Sequence, residues 1–158
     1  MKILVDSNIP FIAAGQIGEA WAVVILEQII RQNIEGMTDV LYLQELLDRS
    51  ACLDEDFWGK KLFACCRRIF RKTLSITVRD FDLSSELHRQ YNDASPRDLF
   101  HAAVALNNNV NEVFSIDGTC FDMITGLNRT NINKLLASLN IQGTYTYERT
   151  NIFRSESV

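Results

Sequence analysis

The chain has 158 residues, 47% hydrophobic and 23% charged, with seven Gly and two Pro. That is enough for one domain that buries close to ~70% of its unfolded surface, and it excludes a disordered, collagen-like or low-complexity protein. A formal net charge of −4 excludes a protein that coats nucleic acid through overall positive charge, while leaving room for a local basic site.

Ile3, Leu4 and Val5 form an apolar run that reads as a buried strand over residues 2–5, ending at Asp6. Ser7, Asn8 and Pro10 then start a short helix, since Pro suits a first turn. Residues 19–32 are predicted as a second helix, too long for one strand, with Glu35 and Gly36 ending it. Met37 and Thr38 are expected as a short strand leading into a helix from about Asp39 to Arg49. There Val40, Leu43, Leu46 and Leu47 hold helical spacing and Glu45 lies off the stripe. Residues 56–72 have the clearest amphipathic pattern, with Leu62, Cys66, Ile69 and Phe70 opposite Lys60, Lys61, Arg67, Arg68, Arg71 and Lys72.

A β-branched strand is expected from Leu74 to Val78 and a helix from Asp82 to Tyr91. Ser95, Pro96, Arg97 and Asp98 open another helix, running to about Asn107. The strand from Glu112 to Ile116 ends at Asp117, and a short helix or turn follows over residues 118–124. Beyond it a helix from Asn131 to Leu139 and a strand from Thr144 to Tyr147 are expected. The domain is read as residues 1–150, with a flexible tail over 151–158.

Strands separated by helices, without hairpin signals, imply right-handed crossovers and a mostly parallel sheet: a three-layer α/β/α sandwich. Cys52, Cys65, Cys66 and Cys120 lack metal-ligand or disulfide-framework spacing, which fits thiols in a reducing cytoplasm. The apolar stretch Ala20 to Ile30 falls well short of the ~20 residues that span a bilayer, so a core helix is expected.

Four acids stand where a parallel sheet would aim them at one point: Asp6 and Asp117 at strand ends, Asp98 in a first helical turn, and Glu45 on a helix after a short strand. Open α/β sheets bind ligands at the carboxyl ends of their strands. Each acid also has a structural reading. Asp6 suits an Asx turn, Asp98 the capping box begun by Ser95, and Glu45 a solvated helix face. Jointly they suit a hard cation such as Mg²⁺ or Mn²⁺, which takes oxygen ligands and keeps waters for a substrate phosphate.

The opening Ile3-Leu-Val-Asp-Ser-Asn8, the segment from Thr38 to Leu47 around Glu45, Pro96-Arg-Asp98-Leu-Phe-His-Ala-Ala103, and Phe114-Ser-Ile-Asp117 followed by Phe121-Asp122 resemble the ordered motifs of PIN-domain ribonucleases. They are most similar to the VapC-type toxins of toxin–antitoxin pairs. The resemblance covers roughly residues 1–123 and implies a Mg²⁺- or Mn²⁺-dependent endoribonuclease, with RNA as substrate and an antitoxin as partner. It implies that Asp6, Glu45, Asp98 and Asp117 bind metal and that Asn8 and Ser115 line the site. Asp122 is a further candidate ligand, because Gly118, Thr119 and Cys120 depart from the family's usual spacing. A homodimer is left open by the sequence, and the alternative function is a noncatalytic PIN-like module binding RNA or protein.

Six of the 16 Lys and Arg residues fall between positions 60 and 72 with no acid among them. A solvated face is the plain reading, and contact of Lys60, Arg67, Arg68 and Arg71 with an RNA backbone the sharper one. His88 and His101 read as helix-surface or packing residues, since metal-activated water needs no histidine base.

Overall fold

The computed structural model describes residues 1–14, 20–52, 56–116 and 119–141. The strand expected at Thr144 to Tyr147 and the tail over 151–158 lie outside them, as does Asp117. Strands β1 (Lys2–Val5), β2 (Glu35–Asp39), β3 (Lys72–Leu74), β4 (Glu112–Phe114) and β5 (Asn128–Arg129) form one sheet in the order β3-β2-β1-β4-β5. Every pairing is parallel. The helices are α1 (Asn8–Ala14), α2 (Ala20–Ile30), α3 (Val40–Cys52), α4 (Asp56–Ile69), α5 (Val78–Gln90), α6 (Pro96–Asn107) and α7 (Ile132–Ser138).

Alternation along β1 divides the core in two. Ile3 and Val5 pack with Ile25 and Leu26 of α2, Leu46 of α3, and Leu62 and Cys66 of α4. Leu4 packs on the other face with Leu87 of α5, Leu99 and Val104 of α6, and Phe121. A strand buried on both faces needs the unbroken apolar run that Ile3, Leu4 and Val5 supply. Truncating fully buried Leu4 to Ala costs about 2–5 kcal/mol on the scale of such core deletions. The result is the three-layer α/β/α sandwich expected from the sequence.

Several boundaries differ from expectation. Glu35 and Gly36 do not break the chain; they begin β2, and the reversal after α2 falls at Gln32, whose φ is 64°. Gly36 is required by packing, since a Cβ there would stand 2.5 Å from Ile29 Cδ1. The strand expected over residues 74–78 occupies Lys72–Leu74, because Asp80 organises the start of α5 instead. Its Oδ2 accepts from both the backbone N and the Oγ1 of Thr77, each at 2.7 Å. That local cap overrides the β-propensity of Ile76, Thr77 and Val78. Strand β5, two polar residues long, has no periodic signal and was not expected.

Chain direction makes one crevice special. From β1 the chain steps outward through β2 to β3, then returns to the other side of β1 as β4. The order reverses between β1 and β4, the switch point where ligands bind in open parallel sheets. Register pairs Val5 with Phe114, and Asp6 N donates to Phe114 O at 3.0 Å, so Asp6 lies beside Ser115 at that point.

Candidate metal centre

Asp6 is held from both sides. Ser115 Oγ donates to its Oδ2 at 2.5 Å, and the backbone N of Asn8 donates to its Oδ1 at 3.2 Å. The Asx turn is therefore real, yet burial outweighs these hydrogen bonds and pushes the Asp6 carboxyl above its ordinary value, with the Glu45 charge adding to the rise. Asn8 is buried, and its Oδ1 has no hydrogen-bond partner among the described residues.

Glu45 is not a solvated helix residue: it is 6% exposed. Ser7 Oγ donates to its Oε2 at 2.8 Å while lying 3.3 Å from Asp6 Oδ1, so one buried hydroxyl bridges the two acids. Arg97 Nε and His101 Nε2 both approach Oε1, at 3.1 and 3.4 Å. Burial pushes the Glu45 carboxyl up, but the hydrogen bonds from His101 and Ser7 and the charges of His101 and Arg97 hold it below its usual value.

Asp98 stands in the first turn of α6, where Ser95 makes no side-chain cap, so the capping-box reading of this segment is not realised. Its neighbour is Cys120, whose Sγ donates weakly to Oδ2 at 3.7 Å. Burial pushes Asp98 above its ordinary value, and together with the Asp98 charge pushes the Cys120 thiol up to about 12. Asp122 is set apart by Arg129, whose Nη2 and Nε meet Oδ2 and Oδ1 at 2.7 and 3.2 Å. A third Arg129 contact, Nη1 to Ile116 O at 3.1 Å, ties this pair to the end of the segment after β4.

Two residues here were not predicted as site residues. His101, one turn after Asp98, is fully buried, which fits the packing alternative and not the surface one, and its Nδ1 lies 2.7 Å from Asp39 Oδ2. Asp39, expected to begin a helix, is the last residue of β2 and fully buried; its Oδ1 accepts from Tyr42 N at 2.9 Å. Burial disfavours charge on His101, yet its hydrogen bonds to Asp39 and Glu45 and the fields of those carboxylates raise it to about 9. The Tyr42 ring stacks on the imidazole with centroids 3.4 Å apart, and its buried hydroxyl has no partner among the described residues. The one advance signal was Asp39 directly after Met37 and Thr38, the strand-then-Asp pattern that also marks Asp6.

The structure therefore joins Asp6, Glu45, Asn8 and Ser115 and sets Asp98 within their electrostatic reach, coupled to Glu45 and His101. It does not bring the basic helix face to them. Because all strands run the same way, Arg71, just before β3, stands at the amino end of the sheet, opposite Asp6, with Arg67 and Arg68 in the last turn of α4. All three are exposed, as is Lys60 nearer the start of that helix.

Among the described residues no three His, Cys, Asp or Glu side chains are preset to hold a metal ion. The chemistry of the donors nevertheless fits a hard divalent cation. They are all oxygens, Asp6 and Asp98 form no salt bridge among the described residues, and the buried amide oxygen of Asn8, two residues after Asp6, is unmet. A bound cation would supply the counter-charge that burial denies these two carboxyls.

No known protein-family profile matches the chain, and none of the curated proteins does. Among solved structures the chain is similar to one in the crystal structure of VapBC2 from Rickettsia felis bound to a DNA fragment from their promoter. The TM-score is 0.66 and the identity 16%, over 80% of this chain and 96% of that one. At that identity the likeness shows the fold, and the fold is the PIN-like sandwich to which the sequence motifs pointed.

Proposed function

We propose, on the premise of this PIN-like fold, that the chain is a metal-dependent endoribonuclease that hydrolyses RNA phosphodiester bonds. We infer that it is the toxin of a toxin–antitoxin pair. The observation that carries the reading is that Ser7 bridges Asp6 and Glu45 at the switch point of the sheet, with Asp98 electrostatically coupled to Glu45. Asp117, which follows β4 and Ser115, is proposed as the fourth acid.

In this reading Asp6 and Asp98 hold Mg²⁺ or Mn²⁺, with Glu45, Asp117 and the Asn8 carbonyl as further oxygen donors. Such an ion lowers the pKa of a bound water and offsets phosphate charge. The chain's own groups do the positioning. Ser115 and the Asn8 backbone fix both oxygens of Asp6, and Ser7 ties Glu45 to the same place. Arg97, whose side chain is 59% exposed while bonded to Glu45, has a solvent face for a phosphate. Asp122, already engaged by Arg129, takes a structural role. Arg67, Arg68 and Arg71 would meet RNA only well away from the scissile bond, and Lys60 stands nearer the start of the same helix.

The likeness to VapBC2 supports an antitoxin as partner. Among the described residues no helix is long and apolar enough to cross a membrane. The test is RNA cleavage with Mg²⁺ or Mn²⁺ against EDTA. Cleavage that needs the cation and is lost in Asp6→Asn supports the reading. RNA binding without cleavage under any divalent ion would instead establish the noncatalytic module.

A further inference from the structure

Glu45 presents two oxygens with about four lone-pair sites between them. Arg97 and His101 approach Oε1, and Ser7 approaches Oε2, which leaves one acceptor site on Oε2. His101 in turn is fixed on its other nitrogen by Asp39, and its ring face is covered by Tyr42. Asp39 belongs to β2, Glu45 and Tyr42 to α3, and His101 to α6. The imidazole and Asp39 are fully buried, so neither meets substrate.

We propose that Asp39 and His101 are positioning residues, forming a buried carboxylate–imidazole–carboxylate relay that orients Glu45 so that Oε2 is the oxygen it offers to the cation. The inference rests on the function proposed above, and it assigns Glu45 its strength of placement rather than its chemistry. Asp39 does two things with its two oxygens: Oδ1 caps the start of α3 and Oδ2 holds the ring. The relay thus ties the angle of the helix that carries Glu45 to the imidazole that steadies its carboxylate. Supports of this kind, one bond removed from a metal ligand, are worth roughly 10–100-fold in metal affinity or activity.

The test compares Asp39→Asn, which keeps an acceptor for the α3 cap, with His101→Gln, His101→Leu and the remote capping variant Thr77→Ala. Each is assayed on the intact chain at a temperature where circular dichroism shows it folded. The relay predicts that Asp39→Asn lowers kcat about 10–100-fold with KM little changed, and that Mn²⁺ affinity measured by calorimetry without RNA falls on the same scale. His101→Gln, which retains a donor for Glu45, should keep more activity than His101→Leu. Thr77→Ala should keep wild-type kcat.

Proton NMR of the cation-free protein gives a readout independent of activity. The relay requires a slowly exchanging His101 ring-proton resonance that shifts in Asp39→Asn and again in Glu45→Gln. Wild-type kcat and Mn²⁺ affinity in Asp39→Asn, equal activity of the Gln and Leu variants, or a ring resonance insensitive to both carboxylates would each overturn the relay. Absence of cleavage and of Mn²⁺ binding in the wild type would overturn the function instead, and the NMR result would then decide the relay alone.

Discussion

β1 and β2 lie side by side and each delivers an aspartate at its carboxyl end, but the two acids are treated in opposite ways. Continuing the β1–β2 register by two residues sets Asp6 level with Asp39. Asp39 is fully buried, with one oxygen on the α3 backbone and the other on an imidazole that also answers Glu45. Asp6, at the switch point, is less enclosed, takes neutral donors among the described residues and has its carboxyl raised by burial. What covers the strand end decides the difference. Over β2, residues of α3 and α6 meet the Asp39 charge with hydrogen bonds; beside β4, Asp6 is met by neutral hydroxyl and backbone donors, which leaves its charge to the cation proposed above.

The contrast is sharpest under substitution. Asp6→Asn should remove cation-dependent RNA cleavage almost entirely, at least about 100-fold, the scale on which preorganised electrostatic groups act. The same change should stabilise the cation-free protein, raising its Tm by about 2–4 °C, because it removes a poorly compensated buried charge. Asp39→Asn should move stability the other way, by about 2 kcal/mol, since it weakens a buried pair while leaving the helix cap. Parallel thermal melts check both signs. Destabilisation by Asp6→Asn would erase the distinction drawn between the two acids.

A third effect concerns pH. His101 is held at about 9 in the fold against 6.5 when unfolded, facing Asp39 from β2, Glu45 from α3, Asp98 and Arg97 from its own helix, and Asp6 from β1. A raised value means that its contribution is complete below about pH 6.5 and is lost as pH rises through about 9. The full swing is about 3 kcal/mol. Urea melts of the cation-free protein between pH 6 and pH 10 should show that decline, flattened in Asp39→Asn. The smallest expected effect is at the far end of the sheet: reversing Arg67, Arg68 and Arg71 to Glu should weaken RNA binding and lower the salt slope by about 0.7 per lost contact, with cleavage chemistry intact. An unchanged salt slope would leave that face a solvated one.

Much of this was legible because strand ends in parallel sheets are written as apolar runs closed by a polar residue. Ile3, Leu4 and Val5 before Asp6 placed the first acid, whereas the strand expected over residues 112–116 ends at Phe114, and Ser115 came from the family resemblance. Glu45 was less legible: its helix stripe marked it as exposed, whereas long-range contacts with Ser7, Arg97 and His101 bury it. Those contacts join positions far apart in sequence, where periodicity has no reach. His101 and Asp39 were missed for the same reason, since an imidazole on a helix and an aspartate before one both have ordinary local readings. β5 was invisible because two polar residues carry no pattern, although Thr130 N and Asn128 N bond to the β4 strand and its approach.

The most direct test of the central claim is single-turnover cleavage of RNA by the wild-type chain, Asp6→Asn and Asp98→Asn, each with Mn²⁺ and with EDTA. The account predicts cleavage by the wild type with Mn²⁺ alone, and none by either variant. Cation-independent cleavage, or full activity in both variants, would contradict it.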